Sequence, residues 1–432
     1  MITIIDWGIW FVYLAVIFSA LWFYRHSKQD HDTYKWFLKG FLVKVAGGIA
    51  FALVSIYYYG GDTFLYFRGA TTMAKYLMED PILYFKLLST PNNLSNEFSE
   101  VSSIISYSRT KEEWFMVKIL STFSFVSFNS YLVITLFMNT IAFWGGWKLF
   151  RVFTDILPKS KKHIFWIVFL TPSIFFWGNG ILKDTLTLAL INYIIYVLYQ
   201  ILEKKLLNLK YLAISLFAAL VIYNLKSYII LAFIPSLFFI LYLYLKSKIN
   251  SPIIRFISGP VILVVLMSMG VFGLQKLSQS TSYSAENIQQ NITGFHTWHT
   301  TTGGSSYNLG DLEYTPIGII SKIPAALNAT FFRPYIWTAR NPIMLVGALE
   351  STLVLILFTV VLYKTRFRVL RYLKCNKFLL GLSIFVLLFG FAVGFTSYNF
   401  GALARYKMPV FSIFIFTLYY MYYTKKNKNI IN

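Results

Sequence analysis

A single cysteine, Cys375, stands in 432 residues, so no disulfide can form within the chain. It lies in a basic loop beside Lys374 and Lys377 and says nothing more about redox compartment. Charge is also scarce. Only 13% of the residues are Asp, Glu, Lys or Arg, against 57% hydrophobic and 19% aromatic, and the mean hydropathy is +0.60. A chain of this composition cannot keep its apolar surface from water by folding as a soluble globule, which leaves an integral membrane protein. The polar–apolar alternation of a membrane barrel is missing too, whereas apolar runs of about 15 to 22 residues recur. The expectation is an all-α polytopic membrane protein with one domain covering residues 1–432.

Acids are the rarer charge, 17 Asp and Glu against 39 Lys and Arg, giving a net charge of +22. That excess points to nucleic acid only if it forms a patch, and it does not. Candidate spans fall at 4–23, 41–59, 131–147, 163–176, 186–202, 211–223, 228–245, 260–274, 344–363, 378–395 and 410–423, about eleven helices, several of them short for a crossing. Every second connection is basic, from Arg25, Lys28 and Lys35 to Lys425, Lys426 and Lys428. The positive-inside rule puts these loops in the cytoplasm, the amino terminus outside and the carboxyl terminus inside. Topology therefore accounts for the charge, and no nucleic-acid partner is expected. The first span, with only three residues before it and no small-residue cleavage site, reads as a retained helix.

Two large outer loops follow from this topology, about residues 60–129 and 275–341. The first opens on Tyr57, Tyr58, Tyr59, Gly60, Gly61 and Asp62, where a hydrophobic run empties into a polar stretch and the first residue past the glycines is a carboxylate. Asp62 is placed to act as a general base, and Tyr66 one turn later as a neighbour of the acceptor. The pattern Trp114, Phe115, Val117, Ile119, Leu120, Phe123, Val126 predicts a helix lying at the interface, since a further crossing would break the alternation of basic loops. The next outer turn, 177–185, carries Lys183 and Asp184 side by side. They are either a local ion pair closing the turn or a phosphate-binding Lys with its acidic neighbour. Lys226, in a third short turn, is a further cation, or a lysine snorkelling to the headgroups.

The second large loop holds His296 and His299, which lack a third ligand and read as exposed. It ends in Phe331, Phe332, Arg333, Pro334, Tyr335, Ile336 and Trp337. An Arg between aromatics and a φ-fixing Pro is held for bidentate phosphate contact, whereas Arg340 reads as an interface anchor. Glu350, about two turns inside the next span, is a buried partner for one of these cations or a functional carboxylate. Arg405 and Lys407 stand at the mouth of the last span, on the outer side where topology does not explain positive charge. A phosphate or pyrophosphate does.

The Gly-Gly-Asp-Thr loop at 60–63, the Trp-Gly-Asn-Gly-Ile-Leu-Lys-Asp turn at 177–184, Phe-Arg-Pro-Tyr-Ile-Trp at 332–337 and Ala-Arg-Tyr-Lys-Met-Pro-Val at 404–410 together resemble multi-spanning bacterial glycan-assembly enzymes. The nearest broad match is the GT-C superfamily of polyprenyl-phosphate-sugar-dependent glycosyltransferases. The resemblance implies a GT-C-like fold in the bacterial cytoplasmic membrane and inverting transfer. It implies a polyprenyl-linked sugar donor and a glycan or lipid-linked acceptor as partners beside membrane lipid. It assigns Asp62 as the base and Arg405 as a donor-phosphate contact. The carboxylate loop here follows the second span rather than the first, and the paired Asp-Glu of many such enzymes is missing. Polysaccharide polymerases of the Wzy or EpsG type are similar in span count, large outer loops and outward-facing Arg.

Residue chemistry fits either family. Asp62 would take the acceptor proton while Arg405, Lys407, Arg333 and Lys183 hold the phosphate, with Asp184, Tyr66, Glu350 and Lys226 in support. No cofactor is required, though a divalent cation, Mg or Mn, is left open. A lipid-linked-glycan flippase or transporter is the alternative of another class; it would show charged or broken helices near the midplane.

Overall fold

The computed structural model describes residues 2–90, 105, 110–251, scattered positions between 253 and 268, 305–310 and 315–427. Among these residues all regular structure is helical, apart from one isolated antiparallel bridge between Ser306 and Asn399. The chain divides into two compact units.

The first unit comprises Met1–Leu170, Ile174–Leu198 and Leu207–Lys226. It opens with α1 (Ile4–His26), whose start is fixed by a capping box between Thr3 and Asp6. α1 leaves Phe11, Val12, Val16 and Phe23 exposed, as a helix does when lipid covers it. α2 (Phe37–Val54) passes into a π turn, Ser55–Tyr59. Then come α3 (Asp62–Glu79), α4 (Pro81–Ser89), α5 (Lys111–Val126) and α6 (Tyr131–Ile156).

α3 and α5 are an amphipathic pair. α3 buries Thr63, Tyr66, Gly69, Ala70, Met73 and Ala74, a stripe at helical spacing, and α5 buries Trp114, Met116, Val117, Leu120, Ser121 and Ser124. They pack along each other, with Gly69 against Val117. At 16 residues α5 is shorter than the ~20 a crossing needs, in keeping with an interfacial helix. Lys118 donates to the carbonyls of Leu88 and Thr90 at the C-terminus of α4, where a cation is favoured; burial holds its pKa below the usual lysine value.

α2 and α6 join through rings: Phe37 meets Phe143 and Trp147 edge-on at 4.9 Å each, and Trp147 stacks on Phe150 at 5.1 Å. In lipid the hydrophobic effect does not drive helix association, so close ring packing and small residues carry it. α7 (Lys183–Leu202) as far as Leu198, and α8 (Leu209–Ser247) as far as Lys226, complete this unit.

The second unit comprises Thr171–Ser173, Tyr199–Leu206 and Ser227–Asn432. Its helices are the remainder of α8, then α9 (Ile323–Phe332), α10 (Pro342–Thr365), α11 (Lys377–Thr396), α12 (Phe400–Tyr406) and α13 (Met408–Lys426). α9 lies close against α11 because Gly394 leaves room: a Cβ there would stand 2.1 Å from the Ala326 carbonyl. The Thr330 hydroxyl uses that approach to donate to the Gly390 carbonyl at 2.6 Å. Ser236 of α8 likewise donates to the Gly381 carbonyl of α11.

This is an all-helical multi-pass membrane protein, but with fewer crossing helices than the eleven or so expected from the sequence: seven helices among the described residues are long and apolar enough. The runs 211–223 and 228–245 both lie in α8, where two helical stretches meet directly at a kink at Lys226, whose φ −155° and ψ 74° are extended rather than helical. The run 163–176 is broken into Lys161–Phe165, a π turn Trp166–Leu170 and Pro172–Phe176, where Pro172 cannot continue the hydrogen-bond ladder. The run 410–423 forms α13, whose second half carries Tyr419, Tyr420, Tyr422, Tyr423, Lys425 and Lys426 and dilutes its apolarity. The run 260–274 lies largely outside the described residues, as do His296 and His299.

Candidate functional site

Polar and charged side chains gather at three places. The first is the turn at 177–182, expected at an outer surface. In the structure it is buried: Trp177 is 7% exposed, Asn179 and Ile181 0%, and Leu182 2%. α2 makes room for it. A Cβ at Gly47 would stand 2.2 Å from the Phe175 carbonyl, and one at Gly48 1.7 Å from the amide of Asn139. Gly180 holds a φ of 81° that suits glycine, and its N–H donates to Asn139 Oδ1 at 3.0 Å. One turn earlier on α2, Lys44 is 2% exposed and donates to the Gly178 carbonyl at 3.2 Å and the Ile174 carbonyl at 3.4 Å. The sequence reading passed over Lys44, although a lysine inside an apolar run is itself a signal of buried polar structure.

The second place follows that turn. Lys183 and Asp184 do not close it as a local pair. Asp184 takes its hydrogen bond from Lys226 at 2.5 Å, with the two side chains 4% and 8% exposed. Lys226 is also the residue at which α8 is interrupted. Lys183 sits half-buried beside this pair, within the electrostatic reach of Lys226, Asp184, Glu112 and Glu113. The two glutamates open α5, where Glu113 forms a capping box with Thr110 and Lys111 lies 5.6 Å over the Tyr223 ring. The starts of α5 and α7 and the kink in α8 thus bring Glu112, Glu113, Asp184 and Lys226 within electrostatic reach of Lys183.

Asp62 is elsewhere. Gly60 and Gly61 take φ values of 63° and 86°, and the chain then enters α3 with Asp62 as its first residue, half-buried. An ionised carboxylate is favoured at a helix N-terminus. Next to it Thr63 shares a 2.9 Å hydrogen bond with the Tyr131 hydroxyl, and Phe64 stacks on the same ring. Tyr66 is buried, 2% exposed. Since Thr63 meets the start of α6 and Gly69 meets Val117, α3 runs antiparallel to α5. Asp62 is therefore at the opposite end of that pair from Glu112 and Glu113, about 20 Å along the helix.

The third place is in the second unit and has two parts. Glu350, within α10, accepts the backbone N–H of Ser173 at 2.6 Å on one oxygen and faces Lys407 at 3.4 Å on the other. Both side chains are 3% exposed, and the Lys407 ammonium lies 4.0 Å over the Phe411 ring. Burial pulls the Lys407 pKa down, and the carboxylate of Glu350 opposes that. Of the alternatives the sequence left for Glu350, it has the geometry of a buried partner. Lys407, expected on phosphate, is committed to that pair.

Arg333 has a different setting. Its guanidinium lies over Phe400 at 5.1 Å, Tyr335 at 5.6 Å and Tyr307 at 5.9 Å, while its buried Nε–H has no hydrogen-bond partner among the described residues. The cradle is tied on every side. Tyr307 donates through its hydroxyl to the Gly394 carbonyl at 2.7 Å and through its N–H to Tyr398 O at 3.0 Å, and burial pushes its phenol pKa up. Phe400 begins α12, which Asn399 caps by accepting from Gly401 and Ala402. Arg405, half-buried, is on the same short helix, and Arg340 is exposed.

Among the described residues no three His, Cys, Asp or Glu side chains come together as a metal-holding group. Compared with family models, with curated proteins and with solved structures, the chain matches none.

Proposed function

We propose that the protein is a membrane glycosyltransferase of the outer face of a bacterial cytoplasmic membrane, with its amino terminus outside and its carboxyl terminus in the cytoplasm. It moves a sugar or glycan from a polyprenyl phosphate or diphosphate to an acceptor hydroxyl. The observation that carries this reading is Arg333, a cation walled by three rings with a buried N–H still to be satisfied. A planar guanidinium pairs with two phosphate oxygens at once. It is most useful on a leaving phosphate, whose negative charge grows as the glycosidic bond breaks.

In the proposed step the acceptor oxygen attacks the anomeric carbon and the bond from that carbon to the phosphate oxygen breaks. The phosphate leaves with the electron pair, and Asp62 takes the acceptor proton. Arg405 is a second phosphate contact. Lys407 and Lys226 are each held by a buried carboxylate within their own units. The motifs at 60–63, 177–184, 332–337 and 404–410 support the same reading, by their resemblance to glycan-assembly enzymes. A polymerase joining lipid-linked repeats would use the same chemistry.

The test is glycan product in membranes with the native lipid-linked donor, at matched protein level. Asp62→Asn is expected to lose about 10²- to 10⁴-fold in rate, and Arg333→Ala to lose product as well. Product at the wild-type rate from both variants would overturn the transferase reading.

One observation favours a transporter or flippase instead: the long helix α8 is interrupted at a lysine whose partner is a buried Asp. In that case Asp184→Asn would abolish the appearance of lipid-linked glycan on the outer leaflet, while Asp62→Asn would leave it unchanged.

A further inference from the structure

Beside the Arg333 cradle is an aromatic surface that the transfer step itself does not use. Trp337 is 81% exposed, and one face of its ring is stacked on Tyr335 at 4.9 Å with an interplanar angle of 21°. Tyr335 in turn lies 5.6 Å from the Arg333 guanidinium. The indole and the guanidinium are thus separated by no more than those two distances laid end to end.

The platform is built in advance. The Tyr335 hydroxyl and the Asn328 amide exchange hydrogen bonds at 3.0 and 3.2 Å, which fixes the phenol on α9. Thr338 folds the turn by donating to the Tyr335 carbonyl from its N–H at 2.9 Å and from its hydroxyl at 2.8 Å. A stacked pair of rings with a fixed turn loses little entropy on binding.

We propose that Trp337 and Tyr335 form a sugar subsite continuous with Arg333, and that its ligand is a pyranose bearing a phosphate on its anomeric carbon. The apolar C–H face of the sugar lies on the free face of the indole, which carries the negative side of the ring quadrupole. The phosphate reaches the unsatisfied Nε–H and the charge of Arg333. In naming a sugar phosphate this rests on the transferase reading, but the geometry concerns binding alone. The same chemistry has two sources in a membrane, a free or lipid-linked sugar phosphate and the headgroup of an anionic lipid.

The full chain in phosphatidylcholine nanodiscs is titrated by calorimetry with the 1-phosphates of glucose, galactose and N-acetylglucosamine, with the parent sugars, and with inorganic phosphate. At least one sugar 1-phosphate is expected to bind saturably and more tightly than either its parent sugar or phosphate. Trp337→Leu is expected to weaken it about tenfold, and Trp337→Tyr to restore affinity to within about threefold. Arg333→Gln is expected to remove the preference for the phosphorylated sugar. Equal affinity of wild type and Trp337→Leu, or no saturable sugar phosphate, overturns the subsite. So does a Trp337-dependent response to phosphatidylglycerol nanodiscs without any response to sugar phosphate. Product formation in native membranes is read separately. Sugar-phosphate binding that depends on Trp337, with no product, keeps the subsite and removes the transferase; product with no role for Trp337 does the reverse.

Discussion

Lys226 donates to Asp184 across 42 residues of sequence at 2.5 Å, with both side chains nearly excluded from solvent. Asp184 has Lys183 as its neighbour in the chain, yet the ion pair forms with the more distant lysine. Successive residues on a helix point about 100° apart, so Lys183 and Asp184 face different surroundings at the first turn of α7. The interruption of α8 sets Lys226 opposite the carboxylate.

Removing one partner breaks a buried ion pair and leaves the other charge without it. Asp184→Asn and Lys226→Met are each expected to lower stability by about 3–5 kcal/mol. The double variant Asp184→Leu with Lys226→Met should recover most of that loss. Thermal unfolding in detergent reads all three; a double-variant loss equal to the sum of the two single losses would mean that the pair is not coupled.

Glu350 is held twice, by Lys407 and by the Ser173 N–H. Lys407→Met should therefore be the more damaging single change, because it strands a carboxylate with one neutral donor. Glu350→Gln keeps an acceptor for Ser173 and leaves the Lys407 ammonium on the Phe411 ring. The order of melting temperatures, wild type above Glu350→Gln above Lys407→Met, is the check.

Gly48→Ala places a methyl 1.7 Å from the Asn139 amide. Asn139 cannot swing aside without losing its bond from Gly180 N–H. A cost of about 1–3 kcal/mol is expected, measured as a lowered melting temperature. Gly8→Ala, where nothing lies within 4 Å, is the control.

Lys118 titrates below the ordinary lysine value of 10.5 because it is partly desolvated. The unfolded chain then binds more protons than the folded one between the lowered pKa and 10.5, so this group makes stability rise with pH through that window. Below the window its contribution is unfavourable and constant. The melting temperature of wild type minus that of Lys118→Met should climb across the window; a flat difference would show that the shift is absent.

Membrane residence, helical structure and the amphipathic character of α3 and α5 were legible from residue order, because hydropathy and helical periodicity are sums over near neighbours. The same sums overcounted crossings. They could not see that Pro172 and the π turn Trp166–Leu170 break one run, or that two helical runs meet directly at a kink at Lys226. Asp62, expected at the opening of a polar loop, begins α3 after a turn of positive φ at its two glycines, a local matter of backbone sterics.

Which cation meets which acid was a different kind of question. In a low-dielectric interior an ion pair is decided by a few ångströms between atoms far apart in sequence. Only the tertiary structure could commit Lys226 to Asp184 and Lys407 to Glu350, and leave Arg333 among rings with an N–H to satisfy. It also buried the turn at 177–182, since the close approach of Gly47 and Gly48 depends on what packs against α2 and not on α2 itself. The sequence by itself determined a helical membrane protein with few acids; three-dimensional packing decided how those acids are used.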